Sequence, residues 1–135
     1  MFLLPVTRRR LLRDRKLLGR WGEKRCERFL RRKGFKTIVR NFTCKLGEID
    51  LIAGDSDGAI VFVEVRTRAD ESYTEAQDTV TPKKQAKLAR TAKYFLKTYR
   101  VKDRPLRFDV VAVVLGQKGP AQIRHYENAF TPKNI

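Results

Sequence analysis

The stretch "GEIDLIAGDSDGAIVFVEVRTR", residues 47–68, decides the fold. Two apolar runs, residues 47–53 and 59–66, flank "GDSDG", whose glycines and aspartates are those of a hairpin turn. A turn of that length pairs positions whose numbers sum to about 113 or 114. That sets Asp50 opposite Glu64, or one residue from it. Side chains alternate along a strand, so Ile60, Phe62, Glu64 and Arg66 share one face and Val61, Val63 and Val65 the other. Like charges facing each other across a ladder weaken it, and a carboxylate held in an apolar strand without compensation is costlier still. Two arrangements offset this. A divalent cation can sit between hard oxygen ligands from both strands. Alternatively, Glu64 and Arg66 form a structural ion pair while Asp50 merely ends its strand.

Outward from the hairpin, residues 19–33, "GRWGEKRCERFLRRK", read as a helix with Leu18, Gly22, Cys26, Phe29 and Leu30 on one face, and Gly34 stops it. Glu23 falls at the edge of that buried face. "FKTIVRNF" at 35–42 has strand character, and 67–80 is polar and irregular. Thr81 caps a second helix with Pro82 at its first position, running to about Tyr99. Leu88, Ala92, Phe95, Leu96 and Tyr99 make its apolar stripe; Lys83, Lys84, Lys87 and Arg90 lie on the other face. "LRFDVVAVVL" at 106–115 is a buried strand, and "AQIRHYENAF" supplies a last edge strand. The order α-β-β-β-α-β(-β) predicts an α/β fold with a mixed sheet, the later strand reached through a helical crossover.

A chain of 135 residues suits one domain with one core, and 41% hydrophobic residues suffice to fill it. The net charge of +16 is the unusual property. It raises self-repulsion, so a polyanionic partner explains it best, nucleic acid before an anionic membrane surface or a ribosome-like scaffold. A solubility device is the plainer explanation. Residues 1–20 hold seven cations and one acid, a net of +6. Residues 1–18 therefore read as a basic arm, with Arg8, Arg9, Arg10 and Arg13 as phosphate contacts, ahead of a domain at 19–135; a simple extension of the first helix is the other reading. Cys26 and Cys44 form no CxxC and have no histidine cluster beside them, which argues against zinc and for inert thiols in a reducing compartment. No apolar run is long enough to span a membrane, and "MFLLPV" is too short for a signal segment, with its arginines on the wrong side. A cytoplasmic protein is expected.

Asp50, a gap of fourteen, then Glu64-Val65-Arg66 resembles the D…ExK signature of the restriction-endonuclease-like, or PD-(D/E)xK, nuclease superfamily. Together with "WGEKRCERFLRRKGF", "NFTCKLGEIDLIA", "VFVEVRTR", "TPKKQAKL", "RFDVVAV" and "NAF", it is similar to the small bacterial YraN-like family, regarded as predicted nucleases related to archaeal Holliday-junction resolvases. The resemblance covers residues 19–130. It implies a three-layer α/β sandwich and a DNA endonuclease dependent on Mg²⁺ or Mn²⁺. It implies that Asp50, Glu64 and the Val65 carbonyl ligate the ion, with Glu23 reaching it directly or through water. Arg66 departs from the pattern, where lysine is usual. Arginine stays protonated and cannot be a general base, though it still neutralises phosphate charge. Lys84 can supply an amine from the facing helix, as a catalytic group or a phosphate contact. Lys83, Lys87 and Arg68 are further backbone contacts or a solvated face. Glu48 is an outer ligand or a solvated turn residue.

The remaining candidates read as structural: His125 as an incidental strand residue without an evident partner, Trp21 as core, Tyr94 and Tyr99 as packing, and Asp109 as paired with Arg107 or a helix cation. Phosphate contacts carry no sequence information, so branched, flapped or single-stranded DNA is the expected substrate. Cutting both strands of a junction favours a two-fold homodimer. The alternative, prompted by Arg66, is a non-catalytic DNA- or RNA-binding protein on a nuclease scaffold; membrane-surface association of the arm is a third. No small-molecule cofactor is expected.

Overall fold

The computed structural model describes residues 7–70 and 79–133. Helices α1 (Arg8–Arg13) and α2 (Arg15–Arg32) precede strands β1 (Lys36–Cys44), β2 (Gly47–Gly54) and β3 (Ile60–Arg68); α3 (Pro82–Thr98), β4 (Leu106–Val114) and β5 (Gln122–Phe130) follow. The five strands form one sheet in the order β1-β2-β3-β4-β5. All neighbours are antiparallel except β3 and β4, which are parallel and joined through α3. The mixed α/β architecture expected from the sequence is thus present, with one short helix, α1, added ahead of the expected order and the last strand at the sheet edge.

Alternation along β3 divides the core. Val61 and Val63 pack with Cys26 and Leu30 of α2, while Ile60 and Phe62 pack with Leu88, Ala92 and Phe95 of α3. The sheet is therefore covered by one long helix on each face. The polar stretch 67–80 is strand as far as Arg68, and its residues 71–78 lie outside those described.

Local chemistry sets the boundaries. Thr81 accepts the Lys84 N–H at 3.2 Å, with Pro82 opening α3 as expected. After α2, Gly34 takes φ +95°, and the Phe35 and Gly34 N–H groups reach back to the Leu30 and Arg31 carbonyls, closing the helix with a left-handed glycine. Asp55 closes the hairpin by accepting the Asp57 and Ala59 N–H groups at 2.9 and 2.8 Å. The first long helix starts earlier than its glycine-led reading: Asp14 caps it by accepting the Leu17 N–H at 3.1 Å, so residues 15–18 belong to α2. Leu11 of α1 is buried, and the Arg8 guanidinium donates to the Gly119 carbonyl at 2.7 Å.

Gly22 is where α2 crosses β3. A Cβ there would lie 2.0 Å from Thr67 Oγ1 and 2.9 Å from Thr67 Cβ, so only a glycine lets the helix lie this close. Gly22→Ala is expected to lower stability by about 1–3 kcal/mol through overpacking, outweighing the roughly 1 kcal/mol that alanine gains in helix propensity. A denaturant midpoint equal to or above the wild type's would contradict this close approach.

Candidate active site

The ladder between β2 and β3 runs from Gly54–Ile60 to Leu51–Val63 and ends there. Continued one step, that register sets Asp50 opposite Glu64, as the hairpin spacing predicts. Instead of backbone pairing, the Asp50 carboxylate accepts the Val65 N–H at 2.8 Å. A residue's N–H and C=O point to the same side of its strand, so the Val65 carbonyl also faces the gap that β2 has left.

Asp50 sits at a break in alternation. Leu51 and Ala53 face α2, yet Ile49 joins the α3 cluster. Across β1, Arg40 pairs with Leu51 and Phe42 with Ile49, leaving Asn41 opposite Asp50 with a left-handed φ of +51°. Asparagine tolerates that conformation better than most residues. Where β2 and β3 part, a slot opens that reaches both faces of the sheet. On the α3 side a cavity of about 290 Å³ is lined by Glu48, Asp50, Glu64, Val65, Lys84 and Lys87. On the α2 side one of about 240 Å³ is lined by Arg20, Glu23, Lys24, Asn41, Asp50 and Val65.

The electrostatics of the slot are unbalanced. Asp50 and Glu64 line the same cavity, and the charge of one acts on the other. Burial first, and the Glu64 charge second, push the Asp50 carboxyl up to about 7, against the lowering effect of the Val65 N–H. Glu64 is itself buried. Its carboxylate contacts the Lys84 ammonium, with the Arg66 Nε 3.7 Å away. Glu23 is also raised, by burial and then by Glu48 and Glu64, while a hydrogen bond to Asn41 opposes this.

The structure therefore brings together Asp50, Glu64, Val65, Arg66 and Lys84, with Lys87 beside them. Glu23 meets Asp50 from the opposite face. Among the described residues, no group of three or more His, Cys, Asp and Glu side chains is gathered so as to hold an ion as it stands. Glu48 is exposed and lines the slot on the α3 side. Arg9, Arg10, Arg13 and Lys83 are exposed, Arg8 is tied to Gly119, and Arg68 is half-buried at the end of β3. Asn41 was invisible to sequence reasoning; its one signal was an asparagine inside a strand. Cys26 is buried, and burial with the Asp50 charge pushes its thiol up to about 12, so it is an inert packing residue.

One structural reading changes. His125 does have an acidic partner: its Nε2 lies 2.7 Å from Asp109 Oδ2. The Asp109–Arg107 pair is present as expected. Tyr94 and Tyr99 do pack, with ring centroids 6.3 Å from Phe42 and 4.9 Å from Phe95, while staying 47% and 59% exposed. Trp21 is half-buried against the α2 cluster, with Arg25 over its ring. No helix among the described residues is long and apolar enough to cross a membrane.

Among solved structures, the chain is similar to Pyrococcus furiosus SfsA in complex with Ca²⁺, with a TM-score of 0.36 and 16% identity. That match takes in 84% of this chain and 64% of the other, so the chain spans less than two thirds of that protein, and at that score the likeness carries no argument. Sequence relatives are nearer. A UPF0102 protein of Pelotomaculum thermopropionicum is 44% identical over 86% of this chain and 97% of its own length. One from Pelobacter propionicus is 40% identical over 87% and 84%, and one from Herminiimonas arsenicoxydans 44% identical over 82% and 87%. The model of the uncharacterised protein family UPF0102 matches residues 22–113. These matches bear out the YraN-like resemblance, and the chain belongs to the family UPF0102.

Proposed function

We propose that this protein is a metal-dependent nuclease that hydrolyses phosphodiester bonds in DNA, selecting branched, flapped or single-stranded regions by shape, on a restriction-endonuclease-like sandwich. The observation that carries the reading is the Asp50–Glu64 pair, lining one cavity where two strands part, inside a protein of net charge +16.

The residues fit a divalent ion. Two carboxylates and a strand carbonyl are the hard oxygen donors that suit Mg²⁺ or Mn²⁺. A pair in which Asp50 is driven towards its neutral form lacks positive charge. Asp50, Glu64 and the Val65 carbonyl would hold the ion, with Glu23 acting from the α2 side. Bound there, the metal supplies Lewis-acid polarisation of a phosphate and a water of lowered pKa. The chain's own cations do the rest. Lys84 and Arg66 flank Glu64 and offset charge that develops on phosphate oxygens. Arg66 acts by charge alone, since it cannot take up a proton. Arg8, Arg9, Arg10 and Arg13 of the basic segment, with Lys83, Lys87 and Arg68, contact the phosphate backbone. In the cytoplasm, a two-fold homodimer would offer one slot to each of two strands of a junction.

The test is cleavage of linear, flapped and four-way-junction DNA with Mg²⁺ or Mn²⁺ against EDTA. Cutting that EDTA abolishes supports the reading; binding without cutting under any metal refutes it. That second outcome would favour a non-catalytic nucleic-acid-binding protein, for which two observations speak: among the described residues the acids lining the slot are not gathered closely enough to hold an ion as they stand, and Arg66 stands in lysine's place.

A pH dependence follows from Asp50. Its folded-state value, about 7, lies above the ordinary 3.8. The neutral form is thus favoured by folding, and the stability it contributes is complete below pH 3.8 and is lost as pH rises through 7. Without metal, wild type should lose on the order of 1–2 kcal/mol over that window relative to Asp50→Asn, less than the full 1.36 kcal/mol per unit because the slot admits water. Mn²⁺ should restore it increasingly with pH, since the ligand binds deprotonated. Parallel pH curves for the two proteins would count against the strained pair.

A further inference from the structure

Helix α3 carries six lysines and arginines and not one acid between Pro82 and Thr98. Lys83, Lys87, Arg90, Tyr94 and Lys97 recur at steps of four and three, which puts them in one line along the helix. All five are exposed, while Leu88, Ala89, Thr91, Ala92 and Phe95 face the core. The line begins at the slot, where Lys84 contacts Glu64 and Lys87 lines the cavity. It runs on for the length of the helix, with Tyr94 about 15 Å beyond Lys84 at 1.5 Å per residue.

Two features set this line apart from a solvated helix face. A solvated face mixes signs, and like charges four apart on a helix are destabilising; here no acid of the helix itself relieves the repulsion. Within the line stands a tyrosine 47% exposed. Its ring is propped from behind by Phe42 of β1, at a centroid distance of 6.3 Å, and Phe42 in turn packs edge-on against Phe95. Gly47 anchors the β1–β2 turn beside it: a Cβ there would lie 2.9 Å from Thr91 Oγ1 and 3.0 Å from Lys87 Cε. The exposed Lys45 and Leu46 belong to that turn.

A cationic track interrupted by a supported, exposed ring is the arrangement that binds single-stranded nucleic acid, phosphates along the charges and a base on the ring. A paired base offers no face to such a ring, because both of its faces are already stacked in the duplex. We propose that α3 is a single-strand binding track, and that Tyr94 is a stacking platform for one unpaired base of the strand leading away from the slot. The inference rests on the nuclease reading for the meaning of the slot, but the binding it describes needs no cutting.

The experiment uses the full chain in EDTA and measures anisotropy of labelled oligothymidylate of about twelve nucleotides, within the span one such surface covers, against blunt duplex of equal length. Tyr94→Ala is expected to weaken the single strand about tenfold, leaving the duplex within about twofold, and Tyr94→Phe to bind as wild type. Arg90→Ala should weaken both and flatten the salt dependence by about one unit of slope. Equal losses on single strand and duplex with Tyr94→Ala, or no loss on either, would overturn the proposal and leave Tyr94 a cover for Phe42. Cleavage is scored separately. A wild type that binds through Tyr94 yet never cuts defeats the nuclease reading and leaves the track standing; one that cuts but is indifferent to Tyr94 does the reverse.

Discussion

Replacing Glu64 with alanine is expected to reduce metal-dependent DNA cleavage by a factor on the order of 10³ while leaving DNA binding within a fewfold of wild type. The first half follows from what Glu64 touches. It is the buried member of the acid pair, and both flanking cations, Lys84 and Arg66, are aligned on it. Its loss removes half the carboxylate set and the anchor that places Lys84. Loss of one group that stabilises transition-state charge costs about 10²–10³ in rate. The second half follows from charge. Affinity for DNA grows with the number of phosphates neutralised, and removing one buried anion from a protein of net charge +16 subtracts no phosphate contact. Stability should hardly fall, because the substitution also ends the repulsion that adds to burial in pushing Asp50 upward. Cleavage by Glu64→Ala at the wild-type rate would mean that the cutting arises elsewhere, in a contaminant or another site. A loss of cutting that tracks a loss of folded protein would deprive the residue of its role.

Much of this site is legible in the sequence because a hairpin is a local object. Turn length fixes the register, and register fixes that Asp50 opposes Glu64. Thr81-Pro82 and Gly34 mark helix ends through contacts within a few residues. The start of α2 was obscured because arginine and leucine crowd both sides of Asp14, so composition there reads as an arm although its cap is local. Glu23 reaches Asp50 from the far face because Gly22 fixes the close crossing of α2 over Thr67, a contact between residues 45 apart. Helical spacing already sets Phe95 inward and leaves Tyr94 off the apolar stripe. That Phe42, fifty-two residues away on β1, backs the Tyr94 ring is a tertiary contact no local pattern shows.

His125 escaped for a related reason. Its partner Asp109 sits on the neighbouring strand, where the β4–β5 register shifts between Phe108 and Val110. The device there repeats the one at the slot. In each case a strand aspartate accepts a main-chain N–H from the next strand at a break in the ladder, Val65 for Asp50 and Asn128 for Asp109. An asparagine with φ +51° accompanies each aspartate: Asn41 stands across from Asp50 on β1, and Asn128 lies in the β4–β5 break itself. The difference between the two lies in their partners. Asp50 faces a second carboxylate and is raised, whereas Asp109 faces donors and is lowered. An acid left frustrated in a cleft is a functional candidate; a satisfied one is architecture.

That contrast yields the largest expected stability effect: Asp109→Ala should destabilise the fold by about 3–5 kcal/mol, the range for breaking a buried charge pair. Asp109 is fully buried and accepts from Arg107 Nε and Nη2 at 2.9 and 3.0 Å and from the Asn128 N–H at 2.9 Å. Lys33 Nζ lies 2.7 Å from His125 Nδ1. An ammonium only donates, so Nδ1 accepts, and Nε2 carries the proton it gives to Asp109. Alanine would leave four donors without their acceptor, one on a buried imidazole. Arg107 would keep only Asp55, at 3.1 Å. Burial alone would raise the Asp109 carboxyl, but His125, Arg107 and the Asn128 N–H outweigh it and hold it below the ordinary 3.8. A depressed carboxyl contributes stability that is present above its unfolded value and lost as pH falls through the folded one. The gap between wild type and Asp109→Ala should accordingly be full at neutral pH and close only below about pH 4. Denaturant titrations at pH 7 and pH 3 measure both. A gap at pH 7 under about 1 kcal/mol, the size of an ordinary surface change, would place the cohesion of this sheet edge in its apolar contacts alone.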